Sequence, residues 1–343
     1  MTKIYKLFLS LFILLGITTV TFASGGERTG TGGASQLNIP VGARSMAMGG
    51  ANIASAYGIE ALYWNPAGVA KLDKSVAVTF SHMTHIADIG VQYGAVAAKI
   101  EGFGVVSFNV KSLSIDDIFV TTTQDPDGTG ATFTPQMLVA GISYSKLLTD
   151  NIAVGVTANY ISETLGQVDA TGMAFNIGVS YDNLADVNGL AFAVAIKNLG
   201  AEMQYDGAGL LQQADVDNFN RPPQFYQSNS APFEIPSQFE IGFAYAPSID
   251  DLNTLNLSSS FQNNNFSGDE YKLGAEYVYD QLLFVRGGYS FAPDVEDEDY
   301  LYGLTAGIGL KYDLDGVDLM VDYAFRDVQY FDANHVFQIS FGL

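Results

Sequence analysis

From residue 75 to the end of the chain, apolar and polar side chains alternate with a period of two. That is the spacing of a strand with one face on each side of a sheet, and it is incompatible with a helix. Fourteen candidate strands follow from it: 75–82, 89–99, 102–112, 136–147, 151–161, 171–182, 189–198, 237–246, 252–262, 270–279, 282–291, 301–312, 317–326 and 335–343. In the thirteenth, Val317, Leu319, Val321, Tyr323 and Phe325 oppose Asp318, Met320, Asp322, Ala324 and Arg326. In the eighth, Phe239, Ile241, Phe243 and Tyr245 oppose Gln238, Glu240, Gly242 and Ala244.

Alternation alone does not say which face is wet, because a soluble sandwich also alternates. Three features favour a membrane barrel. The first 23 residues read as a secretory signal, with Lys3 and Lys6, an apolar run over 7–20, and Thr21-Phe22-Ala23 before the expected cleavage. Fourteen apolar residues are too few for a helical span of roughly 20. The connections are short after even strands and often long after odd ones (113–135 and 199–236), as expected of short periplasmic turns and long external loops. The final strand places Phe337, Ile339, Phe341 and Leu343 on one face, a terminus resembling the assembly signal of outer-membrane barrels.

Composition narrows the function. Charged residues are only 15% against a usual share of about 25%. The net charge of −22 argues against nucleic acid as a partner, since phosphate needs clustered Lys and Arg. The absence of cysteine removes thiol catalysis, disulfides, a lipoprotein anchor and Cys-based metal sites. The expected organisation is a signal at 1–23, a flexible Gly/Ser/Thr-rich lead-in at 24–43, an N-terminal plug at 44–74, and a barrel over 75–343.

The plug stretch is the only long segment after the leader that does not alternate. It holds the single tryptophan, Trp64, and the pair Gly49-Gly50, which suggests a tight bend or close backbone approach. Asn65 reads as a helix cap before Pro66 in the first turn, followed by Ala67 and Gly68. A soluble helix-turn fits the same residues. Arg44-Ser45-Met46-Ala47-Met48-Gly49-Gly50-Ala51, with Ala61-Leu62-Tyr63-Trp64-Asn65-Pro66-Ala67-Gly68, resembles the N-terminal signature of the PorV/PorQ family of outer-membrane proteins. The Asn-Pro-Ala element also resembles the hatch of FadL-type fatty-acid channels. The first resemblance implies a component of type IX protein secretion that binds exported cargo or other subunits. The second implies a passive channel for hydrophobic small molecules, loaded at a greasy external site. Outer-membrane lipid is a partner on either reading, and a protein or hydrophobic ligand the further one.

No catalytic constellation is present, so neither enzyme activity nor a cofactor is implied. His82 and His85 lack a third metal ligand, and the acidic run Asp294, Glu296, Asp297, Glu298 and Asp299 reads as a solvated loop tip or a cation bridge. More informative are Lys272, Glu276, Arg286, Lys311, Asp318, Asp322 and Arg326, on the inner side of four consecutive strands. Charges at membrane depth face a polar lumen or one another. They are expected to form an ion-pair network that either holds the plug through Arg44 or Glu60 or merely fills the interior. The small residues Ala153, Gly155, Thr157, Ala174, Gly178 and Ser180 leave room for a plug or ligand. The long external loop carries Leu210, Leu211, Phe219, Phe225 and Tyr226, an expected surface for a partner or ligand, or a lid.

Overall fold

Every alternating segment becomes a strand in the computed structural model, which describes residues 28, 30–214, 224–247, 249–296 and 299–343. The barrel strands are β1 (Val76–Thr84), β2 (Gly90–Ile100), β3 (Gly104–Ser114), β6 (Gln136–Leu147), β7 (Ile152–Leu165), β8 (Val168–Asp182) and β9 (Leu190–Gly200). They continue with β12 (Gln238–Tyr245), β13 (Asn253–Asn264), β14 (Glu270–Tyr279), β15 (Leu283–Phe291), β16 (Tyr302–Leu314), β17 (Val317–Val328) and β18 (Asn334–Gly342). Each pairs antiparallel with its neighbours, and β1 pairs with β18 in the register Val78↔Phe341 and Phe80↔Ile339, which closes the barrel. Closure leaves no edge strand with unpaired backbone groups, the requirement for a sheet in hydrocarbon.

The faces settle the ambiguity of the alternation. Phe239 and Phe243 on β12, Ile308 on β16, Val321 on β17 and Phe337 on β18 are exposed on the outside. Their alternates Glu240, Thr305, Asp322 and Gln338 are buried inside. An apolar exterior around a polar interior is the inverse of a soluble sandwich and is stable only with lipid outside. No helix of the described residues is long and apolar enough to cross a membrane, so the strands do the crossing.

Both long connections lie on one rim. Each carries a two-stranded ribbon, β4 (Ile118–Phe119) with β5 (Thr132–Phe133), and β10 (Leu211–Ala214) with β11 (Gln224–Gln227). The odd-numbered connections are not uniformly long, however. β7 and β8 run on past the expected ends and meet at a two-residue turn, Gly166-Gln167, with Leu165 opposite Val168. Backbone pairing continues into water where polar side chains hide the periodicity. The extension has a packing reason, because Ile161, Ala170 and Ala174 form a small core with Met203, Ile235, Tyr205 and Phe233 of the β9–β12 connection.

The lead-in expectation fails over 34–43. Ala34, Gln36, Leu37, Val41 and Ala43 are buried, and residues Ser35–Asn38 form a 3-10 turn. Lumenal contacts order this stretch despite its composition. Gln36 Nε2 donates to Glu163 Oε1 at 2.7 Å, and the Lys111 ammonium donates to the Ile39 carbonyl at 3.0 Å. The expected signal at 1–23 and Phe219 lie outside the described residues.

Candidate functional site: the inserted segment and the cavity beside it

Residues 34–72 pass through the lumen from the rim of the long loops towards the rim of the short turns. At the first end Gly33 donates its N–H to Glu234 O of the β9–β12 connection. At the other, Lys71 pairs with Asp182 at the end of β8, at 2.7 Å.

The segment is built from short turns that local sequence explains. Gly42, Gly49 and Gly50 have φ of 91°, 64° and 74°, a region that side chains rarely adopt. The pair at 49–50 reverses the chain against the wall. A Cβ on Gly49 would lie 2.9 Å from Tyr289 N, and one on Gly50 would lie 3.1 Å from the Trp64 ring. Trp64 donates its Nε1–H to Val41 O at 3.0 Å and meets Tyr63 edge-on, with ring centres 5.3 Å apart. Asn65 caps the turn Pro66–Lys71, its Oδ1 accepting the Ala67 N–H at 3.0 Å, while Pro66 occupies the first position.

Asn65, Pro66 and Ala67 then rest on the small inner faces of β6, β7 and β8. Ser145 Oγ donates to Pro66 O at 2.7 Å, and a Cβ on Gly155 would collide with the Pro66 backbone. Gly68 is packed against the Ala56 carbonyl within the segment itself.

On the opposite wall the contact is ionic. Arg44 grips Glu276 with two parallel bonds, Nε to Oε2 at 2.9 Å and Nη2 to Oε1 at 2.8 Å. Its Nη1 lies 3.5 Å from Glu60 Oε2. Arg286 bonds Glu276 at 2.6 Å and Asp322 at 2.5 Å. Asn256 donates to Glu276 at 2.8 Å, and Gln338 donates to Glu60 at 3.3 Å. Two guanidinium groups thus face three carboxylates. Paired Arg–carboxylate forks are the strong form of such contacts.

The seven strand charges do not form one network. Glu276, Arg286 and Asp322 gather around Arg44. Lys311 pairs with Asp318 at 3.0 Å near the short-turn rim, where Lys74 also reaches Asp318 at 3.2 Å. Lys272 pairs with Glu270 at 3.3 Å, and Arg326 stacks 3.8 Å over the Tyr302 ring, both towards the long-loop rim. Residues four apart on one strand face are about 13 Å apart along it, beyond the reach of one pair.

These last residues line a cavity of 240 Å³ beside the segment. Tyr63, Trp64, Met46 and Ile39 of the segment form one side. The wall contributes Lys197, Gln238, Gln262, Lys272, Tyr302 and Arg326. Lys197 pairs with the fully buried Glu240 at 3.2 Å and sits 5.6 Å from the Trp64 ring centre. Two further voids around the segment are about 10 and 20 Å³, near or below the size of one water. The sequence had already placed Lys272 and Arg326 on inner faces, and Gln238 and Glu240 on the face opposite Phe239. Lys197, Tyr300 and Tyr302 were not singled out, although Lys197 is an isolated charge in a small-residue strand, the signal that could have found it.

Of the expected loop residues, Phe225 is 72% exposed, and Leu211 and Tyr226 are also exposed, on the β10–β11 ribbon, with Leu210 at its start. Phe119 on the other ribbon, not anticipated, is 66% exposed. Of the two histidines, His82 is exposed on β1. His85 follows in the β1–β2 turn, where Asn334 Nδ2 lies 3.3 Å from its Nδ1. Burial, aided by nearby Arg326 and Lys111, pushes His85 down to about 4.

No protein-family model matches the chain, and no curated protein matches it. Solved structures do. The CymD monoaromatic hydrocarbon channel aligns with a TM-score of 0.51 at 15% identity, over 88% of this chain and 96% of that one. The toluene transporter TodX of Pseudomonas putida aligns at 0.52 and 14%, over 88% and 97%. A FadL homologue of Pseudomonas aeruginosa aligns at 0.52 and 13%, over 88% and 98%. The fold is FadL-like. The first two of these neighbours are a channel and a transporter. A closed FadL-like barrel with an apolar outer face places the protein in the bacterial outer membrane.

Proposed function

We propose that this FadL-like barrel is an outer-membrane uptake channel for small molecules with an apolar ring or chain. The carrying observation is the 240 Å³ cavity beside Trp64, on the long-loop side of the inserted segment. Solute loads there and passes to the periplasm when the segment yields. The printed names of two neighbours concern monoaromatic hydrocarbons and toluene. Here the rings of Tyr63, Trp64, Tyr300 and Tyr302 line the cavity, so a flat ring has faces to stack on. The test is initial uptake of radiolabelled toluene by intact Gram-negative cells that lack other hydrocarbon channels. Expression of the protein raises the rate severalfold, and Arg44→Ala, which loosens the segment, raises it further. A rate unchanged by both the native chain and Arg44→Ala overturns the reading.

Protein secretion of the PorV/PorQ type is the second reading, with exported cargo or secretion subunits as partners. It is favoured by the residues quoted at 44–51 and 61–68 and by the exposed Phe119 and Phe225 on the two external ribbons. A pull-down from mild-detergent outer membranes tests it. Co-purifying secretion subunits or exported proteins, lost on deleting 206–228, support it. A barrel that comes down alone counts against it.

A further inference from the structure

The protein is strongly acidic, at −22, yet its main lumenal cavity is cationic. Lys197, Lys272 and Arg326 line it, against one lining carboxylate, Glu270. Glu240 is buried behind Lys197 and accepts from Ser260 at 2.9 Å, so it offsets one charge and leaves the cavity net positive. The three lining cations come from β9, β14 and β17, and barrel closure brings them to one space. The carboxylate-rich cluster around Arg44 lies further towards the short-turn rim, so the lumen carries a positive region followed by a negative one.

Neutral donors and acceptors surround the cations. Gln238, Gln262, Asn264 and Ser290 join them on the wall, opposite the Tyr63 and Trp64 rings. Gln262 Nε2 donates to Asn264 Oδ1 at 2.7 Å and Asn264 Nδ2 to Gly268 O at 2.9 Å, so this polar wall is preorganised, and a pure hydrocarbon gains no polar contact from it. The volume of 240 Å³ is below the roughly 300–1,000 Å³ usual for drug-sized ligands. It suits one ring with a small polar group, not a long acyl chain.

We infer that the cavity selects single-ring carboxylates, holding the ring against Tyr63 and Trp64 and the carboxylate among Lys197, Lys272 and Arg326. This rests on the uptake reading and names its substrate class. The existing pair of Lys272 with Glu270 is no obstacle, since an ammonium has three donors and serves a second carboxylate. A low-dielectric wall strengthens the attraction, and the negative region beyond keeps the anion in the cavity until the segment moves.

Trp64 is the only tryptophan, so its emission reports occupancy without a label. The experiment titrates the purified full chain with benzoate, benzamide and toluene, and repeats the benzoate titration at rising salt. Benzoate is expected to shift Trp64 emission saturably, about tenfold tighter than benzamide, as a charge-assisted bond predicts. Its affinity falls as salt rises, a measurement on the native protein alone. In Lys272→Gln and in Lys197→Gln, checked for folding by heat-modifiable migration, the preference shrinks to within about threefold. Benzamide and toluene binding as tightly as benzoate, with no effect of salt, overturns the inference and leaves the channel reading intact. No saturable change with any probe also overturns it. In that case toluene uptake by cells decides separately whether the channel reading survives.

Discussion

Against β6–β8 the Asn65–Ala67 turn of the inserted segment is held by shape, with the ion pair of Lys71 and Asp182 only at its end, whereas against β14–β18 Arg44 is held by charge. The first contact is a backbone turn, Asn65-Pro66-Ala67, against glycine, serine and alanine, with a hydroxyl-to-carbonyl bond. Nothing in it titrates. The second is a buried fork between Arg44 and Glu276, braced by Arg286, Asp322 and Glu60. Close packing is lost gradually as atoms separate, whereas a buried ion pair stripped of one partner leaves an uncompensated charge. The charged side is therefore where a single change is expected to loosen the segment most.

The largest effect is expected from breaking the charged side. Glu276→Ala leaves Arg44 with its 3.5 Å contact to Glu60 and its stacking 5.0 Å over the Tyr57 ring, and removes one of the two Arg286 carboxylate partners. Loss of a partner from a buried pair costs about 3–5 kcal/mol. Hydrogen exchange of amides 43–64 in the reconstituted protein should speed accordingly. Unchanged protection would show that the fork contributes little.

The packed side comes next. Gly155→Val puts branched carbon where the Pro66 carbonyl now sits, and backbone cannot swing away. Overpacking of this kind costs about 1–3 kcal/mol. Exchange should rise first at 65–71, not at 43–50, which would separate the two contacts. Full retention of protection at 65–71 would mean that the wall yields more readily than a closed sheet should. Asn65→Ala tests the same side more gently. It removes the cap to Ala67 N–H and the 3.2 Å bond to Ile53 O, at a cost of about 1 kcal/mol. Protease sensitivity near residue 65 is the readout.

The smallest effect belongs to the seam between the two sides, where β1 meets β18. His85 has its folded-state value lowered from 6.5 to about 4. Between those values the folded chain binds fewer protons than the unfolded one, so stability rises with pH across this window. The contribution is fully present above pH 6.5 and is lost as pH falls towards 4. His85→Gln should flatten the difference in melting temperature between pH 7 and pH 5, and an unaltered difference would assign it to other groups.

Much of this architecture is legible in the residues. Val321 against Asp322, or Phe239 against Glu240, states the strand period locally, and fourteen such segments state the strand number. Asn65 before Pro66 states a capped turn for the same reason, since both act within a few residues. The turn at 166–167 and the packing of 34–43 were not legible, because their order comes from contacts with Met203, Glu163 and Lys111, far along the chain.

By itself, then, the sequence determined the fourteen strands, the alternation of their faces and the turns of the inserted segment, all products of short-range sterics and hydrogen bonding. Only the tertiary structure decided that Arg44 meets Glu276 while Lys311 meets Asp318, and that Lys197, Lys272 and Arg326 share a cavity with Trp64. Those facts depend on barrel closure and strand depth, which set distances between residues that no local pattern relates.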